Sequence, residues 1–163
     1  MFAPAMLGQA GEILALARAK NMRIAAAESC TGGLIAGLLT AIAGSSDVFE
    51  RGFVTYSNEA KEDLLGVPTD LIHRHGAVSH PVAVAMADGA LKHSLAQLAV
   101  AVTGIAGPGG GTAQKPVGLV YVATAVLGGE TQARELRLGD IGRDAVRLAT
   151  VEAALAMMRA RLS

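Results

Sequence analysis

With 163 residues, 52% of them hydrophobic and only 3% aromatic, the chain is long enough for one compact domain with a core of Ala, Val, Leu and Ile. Fourteen basic residues against fourteen acidic ones leave no net charge, which excludes the broad positive field of a non-specific nucleic-acid binder. A single cysteine, Cys30, excludes an internal disulfide, and no apolar run reaches the roughly 20 residues that span a bilayer.

Taken in chain order, Gly8 to Lys20 places Ile13, Leu14, Leu16 and Ala17 on a helical period, with basic residues near its end. Arg23 to Ala27 reads as a buried strand, and a helix from Thr31 to Ala43 follows. Gly44-Ser45-Ser46-Asp47 is a turn and Phe53-Val54-Thr55-Tyr56 a second strand. Asn58 is suited to cap a short helix, Glu59 to Leu65, which Gly66 and Pro68 end. His73 to Ser79 is loop-like, and Pro81 opens a third helix that runs to Ser94. The apolar strand Leu98 to Thr103 leads into a glycine-rich loop, Gly104 to Gly111. Val117–Leu127 and Thr131–Leu138, separated by Gly128-Gly129-Glu130, form a hairpin signal. The last helix, Arg143 to Arg161, carries Val146, Ala149, Thr150, Ala153 and Met157 on one stripe. Strands alternating with helices predict a single α/β domain over residues 1–163: a three-layer α/β/α sandwich. Its sheet is expected to be mainly parallel, of about five strands, with one antiparallel strand in the last hairpin.

Chemistry is expected beyond the carboxyl ends of the strands. Ser29, in Glu28-Ser29-Cys30-Thr31-Gly32-Gly33, sits at such a strand-to-helix junction, where backbone N–H groups can stabilise a developing anion. A serine hydroxyl needs a base, and no histidine is placed for it. Lys61 is the better partner: in the first turn of a short helix its charge opposes the helix dipole, so burial there favours the neutral amine. Tyr56 is positioned to orient that amine or relay a proton. Both residues also have ordinary readings, the serine as a helix cap and the lysine as a surface group. Cys30 is the rival nucleophile, though a lone cysteine is commonly a small core residue.

The loop after Thr103 lacks a Walker Gly-Lys-Ser/Thr, but its glycines allow backbone N–H groups to approach a phosphate or carbonyl oxygen. Arg143 and Arg147, a turn apart, either clamp a phosphate or are surface charges. His73 and His75 lack a third ligand at metal-binding spacing, so no metal site is expected.

Together these segments resemble the C-terminal domain of the competence/damage-inducible CinA proteins, a domain that also occurs alone as PncC-type nicotinamide mononucleotide amidohydrolases. The resemblance rests on Ala27 to Gly33, Tyr56-Ser57-Asn58-Glu59-Ala60-Lys61, His75-Gly76-Ala77-Val78-Ser79 and Thr103-Gly104-Ile105-Ala106-Gly107-Pro108, extended by Val117 to Tyr121 and Arg143 to Arg147. It covers nearly the whole chain in order. Thr112 to Pro116 falls in a variable part of the family, and Gly139 to Gly142 fits only loosely the Gly-Asp-Arg run common in relatives.

The resemblance implies deamidation of nicotinamide mononucleotide to nicotinate mononucleotide and ammonia by a Ser/Lys pair, Ser29 and Lys61, with Tyr56 nearby and no cofactor. It implies substrate contacts from Cys30, Thr31, Gly32 and Gly33, and from Thr103, Gly104, Gly107 and Arg143. It also implies a homodimer or larger assembly, while the single cysteine and a start without the basic residues of a signal peptide point to the cytoplasm. Two alternatives stand beside it: a Ser/Lys hydrolase of another amide or ester, and a non-catalytic nucleotide-binding or regulatory module.

Overall fold

The computed structural model describes residues 1–163. In chain order the elements are α1 (Pro4–Ala19), β1 (Ile24–Glu28), α2 (Leu34–Thr40), β2 (Phe49–Val54), α3 (Asn58–Leu65), α4 (Thr69–His75), α5 (His80–Lys92), β3 (Leu98–Gly104), β4 (Leu119–Val126), β5 (Gln132–Arg137) and α6 (Arg143–Leu162). A single sheet runs β2-β1-β3-β4-β5. β1 pairs in parallel with both β2 and β3, while β4 runs antiparallel to β3 and to β5. One strand, β4, therefore opposes the other four, as the hairpin signal predicts.

The alternation of side chains across the pleat builds two unequal faces. Ile24, Ala26, Leu98, Val100, Val102, Val120 and Val122 face one core, which also takes in buried residues of α1, α2 and α6 such as Leu14, Leu38 and Leu155. The opposite face is paved with alanine: Ala25, Ala27, Ala99, Ala101, Ala123 and Ala125 pack on Val82, Ala83, Met86 and Ala87 of α5. Such small side chains let α5 lie close to the sheet. The packing is as tight between α3 and α5, where a Cβ on Gly89 would stand 2.0 Å from the Leu65 carbonyl oxygen.

Several boundaries differ from the sequence reading. α2 starts at Leu34 rather than Thr31, because Gly32 and Gly33 take positive φ (58° and 101°) and make a turn first. β2 starts at Phe49 and ends at Val54, leaving Thr55 and Tyr56 beyond the strand. Ser57, not Asn58, caps α3: its Oγ accepts the Ala60 N–H at 3.0 Å. His73 and His75 lie on a helix, α4, not in a loop. The buried stripe of α6 is rotated from the expected one and runs through Val146, Thr150, Ala154 and Met158. No helix is long and apolar enough to cross a membrane.

The topology fixes where a ligand fits. From β1 the chain crosses through α2 on one face to reach β2, whereas β3, on the other side of β1, is reached through α5 on the opposite face. The carboxyl ends of β1 and β3 thus flank a topological switch point, where open α/β sheets form a crevice.

Candidate active site

A cleft of about 280 Å³ lies at this switch point, with Ser29, Lys61, Thr103 and Arg143 among its lining residues. Ser29 follows β1 directly, and its N–H donates to the Val102 carbonyl at 3.1 Å, which ties it to the adjacent strand. Lys61 reaches it from α3. Side chains on a helix lean toward its N-terminus, so the amine lies over the Ser57 cap rather than beside its own Cα.

The Lys61 Nζ stands 3.1 Å from Ser29 Oγ, 2.8 Å from the Thr55 carbonyl and 3.4 Å from the Ser57 carbonyl. The residue is 1% exposed. Burial pushes the amine below its ordinary pKa of 10.5. The contact set suits both protonation states. As a neutral amine, Nζ donates its two N–H groups to the carbonyls and turns its lone pair to the Ser29 hydroxyl. As an ammonium, it donates to all three oxygens. A proton can therefore pass between Oγ and Nζ without rearrangement of either side chain.

Cys30 offers a poorer nucleophile. It is buried, and desolvation pushes its thiol up to about 11, which keeps it protonated at neutral pH. Its backbone is more useful. The N–H groups of Gly32 and Gly33 are already committed, to the Ser29 carbonyl at 3.0 Å and to Glu28 Oε2 at 3.1 Å. No other residue accepts the Cys30 N–H, which faces only its own thiol, and Cys30 lines the cleft. It is the donor free to hold an anion formed at Ser29.

Glu28 is the residue the sequence reading missed. Its carboxylate is 1% exposed and accepts from Thr31 Oγ1 (2.5 Å) and from the N–H groups of Gly33 (3.1 Å), Ile35 (3.0 Å) and Ala36 (2.9 Å). A strand-terminal carboxylate thus satisfies the orphan donors opening α2, work usually done by a capping side chain next to the helix. The signal available was an acidic residue ending an otherwise apolar strand. Thr31, Gly32 and Gly33 consequently belong to the support behind Ser29 and do not line the cleft.

The other wall is the loop after β3. Thr103 Oγ1 donates to the Ala77 carbonyl at 2.9 Å, which joins that loop to the segment before α5. Gly104 has no room for a side chain, since a Cβ would lie 2.6 Å from Val120. Ala106, Gly107, Gly109 and Gly110 line the cleft with N–H groups that no atom of the chain accepts. Arg143 closes the space by donating to the Gly107 carbonyl (2.7 Å) and to the Tyr56 hydroxyl (2.9 Å). Tyr56 is 61% exposed, and its hydroxyl bonds Arg143 rather than Lys61, so the amine is oriented by the Thr55 and Ser57 carbonyls. Arg147 does not line the cleft and donates to the Cys30 and Thr31 carbonyls.

The profile of the CinA C-terminal domain matches residues 8–162. Among curated proteins, the chain is 54% identical over 140 residues to the nicotinamide-nucleotide amidohydrolase PncC of Escherichia coli K12, covering 85% of this chain and 82% of that protein. It is 53% identical over 137 residues to a CinA-like protein of Akkermansia muciniphila, covering 84% of this chain and 33% of that one. The chain thus spans about a third of the length of the CinA-like relatives. Among solved structures, the competence/damage inducible protein CihA of Agrobacterium tumefaciens superposes with a TM-score of 0.96 at 54% identity, over 98% of this chain and 97% of that one. A competence damage-inducible protein A of Klebsiella pneumoniae gives 0.91 at 33% identity, over 96% of each. With that match along nearly its full length and the fold in agreement, the chain belongs to the CinA C-terminal domain family.

Proposed function

We propose that the chain is an amidohydrolase that converts nicotinamide mononucleotide to nicotinate mononucleotide and ammonia, with Ser29 as nucleophile and Lys61 as general base and acid. The observation that carries this reading is the buried Lys61 amine held 3.1 Å from Ser29 Oγ by two carbonyls, at the edge of a nucleotide-sized cleft. The 54% identity to a nicotinamide-nucleotide amidohydrolase supports the substrate.

The course follows from the contacts. Neutral Lys61 takes the Ser29 proton as Oγ attacks the carboxamide carbon, and the Cys30 N–H holds the oxyanion. The Lys61 ammonium then gives its proton to the amide nitrogen, ammonia leaves, and an ester to Ser29 remains. Water attacks that ester, Lys61 accepts the water proton and returns it to Oγ, and nicotinate mononucleotide departs. The open N–H groups of Ala106, Gly107, Gly109 and Gly110 and the guanidinium of Arg143 are matched to the phosphate, with Thr103 and Gly104 shaping the wall beneath. Tyr56 holds Arg143 in place.

The catalytic unit is the single domain 1–163, which acts in the cytoplasm as a homodimer or larger assembly. Exposed Val54 and Tyr56 at the open end of edge strand β2 suit a contact between copies.

The test is product identification. Purified protein given nicotinamide mononucleotide is expected to yield ammonia and nicotinate mononucleotide in equal amounts, with nicotinamide riboside turned over far more slowly. Ammonia without the acid mononucleotide, or equal rates on the riboside, contradicts the reading.

A further inference from the structure

Arg147 is a half-buried arginine on the rigid 20-residue α6, anchored by Val146 and Thr150, which are fully buried on either side of it. It makes no ion pair and does not line the cleft. Instead it spends its donors on two successive carbonyls of the nucleophile turn: Nε on Cys30 at 3.2 Å and Nη2 on Thr31 at 3.1 Å. The guanidinium lies against Gly32, where a Cβ would come 3.5 Å from Nη2.

Following the peptides from there gives a continuous relay. In a trans peptide the C=O and N–H point to opposite sides. The Thr31 carbonyl accepts from Arg147, and the N–H of the same peptide, that of Gly32, donates to the Ser29 carbonyl at 3.0 Å. The N–H of the Ser29 peptide is that of Cys30, the donor beside Ser29 that no other residue accepts. Two peptide dipoles are thus aligned head to tail between a fixed cation and the place where negative charge develops. Hydrogen bonds in such chains polarise one another, and a donor prealigned with a developing oxyanion stabilises the transition state more than the ground state.

We propose that Arg147 is a positioning residue for catalysis, the cationic end of a two-peptide hydrogen-bond relay that orients and polarises the Cys30 N–H as oxyanion donor. The proposal rests on the acyl-transfer reading of Ser29. It differs from a mere tie between α6 and the turn in one consequence: removing the cation weakens the transition state and leaves substrate binding in place.

The experiment compares the parent with Arg147→Met and Arg147→Lys on two reactions, hydrolysis of nicotinamide mononucleotide and acylation by p-nitrophenyl acetate, with Ser29→Ala as background. Arg147→Met is expected to lower kcat and the acylation rate about 10- to 100-fold, with KM changed by less than about threefold. The pH profile, set by Lys61, keeps its midpoint. Arg147→Lys, which keeps the charge but loses the fork, regains part of the rate. A folded Arg147→Met variant with both rates within about threefold of the parent overturns the proposal, as does a loss confined to KM. If Arg147→Met does not fold, a folded Arg147→Lys with parental rates overturns it equally, and a lowered kcat at unchanged KM supports it. A parent that is acylated by the ester but leaves the mononucleotide intact overturns the substrate reading alone, and the acylation rates then decide the role of Arg147. A parent inert to both overturns the two together.

Discussion

Replacing Lys61 by methionine keeps the unbranched stem as far as Cε and removes the proton-accepting atom beyond it. In the parent the amine holds three oxygens, and two of them, the Thr55 and Ser57 carbonyls, lose a donor in the variant. A buried carbonyl left unpaired costs about 1–3 kcal/mol, while release from desolvating Nζ acts in the opposite direction, so the variant stays folded with a net change within about 2 kcal/mol. The kinetic loss is larger. A positioned general base contributes about 10²–10⁴-fold, or about 3–5.5 kcal/mol of barrier, and here the same atom also protonates the leaving nitrogen. We expect kcat/KM for ammonia release to fall at least about 10³-fold. The pH dependence gives a second reading. Activity needs the neutral amine, so parental kcat/KM rises with pH through the Lys61 pKa, which burial holds below 10.5, and this rise is absent from any residual activity of the variant. Stability follows the same proton. Between the folded and the unfolded pKa the unfolded chain binds more protons, so parental stability increases with pH across that window, and the variant lacks the increase. A folded Lys61→Met protein with activity within about tenfold of the parent would refute the base assignment.

Glu28→Gln keeps the shape of the capping side chain but sets an NH₂ against a cluster of donors, so urea unfolding is expected to show a loss of about 2–4 kcal/mol, and a loss below about 1 kcal/mol contradicts the capping account. Gly89→Ala drives a Cβ to 2.0 Å from the Leu65 carbonyl, so α3 must lift from α5. Calorimetry should show a loss above about 3 kcal/mol, with activity lowered as Lys61 moves, and a parental melting temperature contradicts the close packing. Cys30→Ala retains the backbone N–H and loses only a protonated thiol, so kcat should stay within about fivefold of the parent, whereas loss comparable with that of Lys61→Met would return the nucleophile role to sulfur.

How much of this was legible in the sequence differs by element. The order of strands and helices could be read because its signals are local: the apolar run Leu98 to Thr103, the Gly128-Gly129 turn, and Pro81 opening α5. Helix α4 went unread although Asp70 in its first turn and Gly76 after His75 mark its ends, because its seven residues bury only Ile72 and leave no apolar stripe. The start of α2 lies later than the sequence suggests because Gly32 and Gly33 take positive φ in a turn that Glu28 reaches over, a contact made in three dimensions. At the site, helix-terminal electrostatics pointed to Ser29 and Lys61. The partners that hold them were not legible: the Thr55 and Ser57 carbonyls, and Arg147, 117 residues along the chain from Cys30. Backbone acceptors carry no residue signature, and a long-range arginine looks in sequence like any surface charge.

The central claim is that Ser29 Oγ attacks the carboxamide, and it is tested most directly by ammonia release from nicotinamide mononucleotide in the parent and in Ser29→Ala under identical conditions. Truncating Ser29 leaves its backbone bond to Val102 and the Glu28 cap in place, so a folded variant is expected. The account predicts steady release by the parent and none above background by Ser29→Ala. Release by folded Ser29→Ala at a rate near the parent's would contradict it.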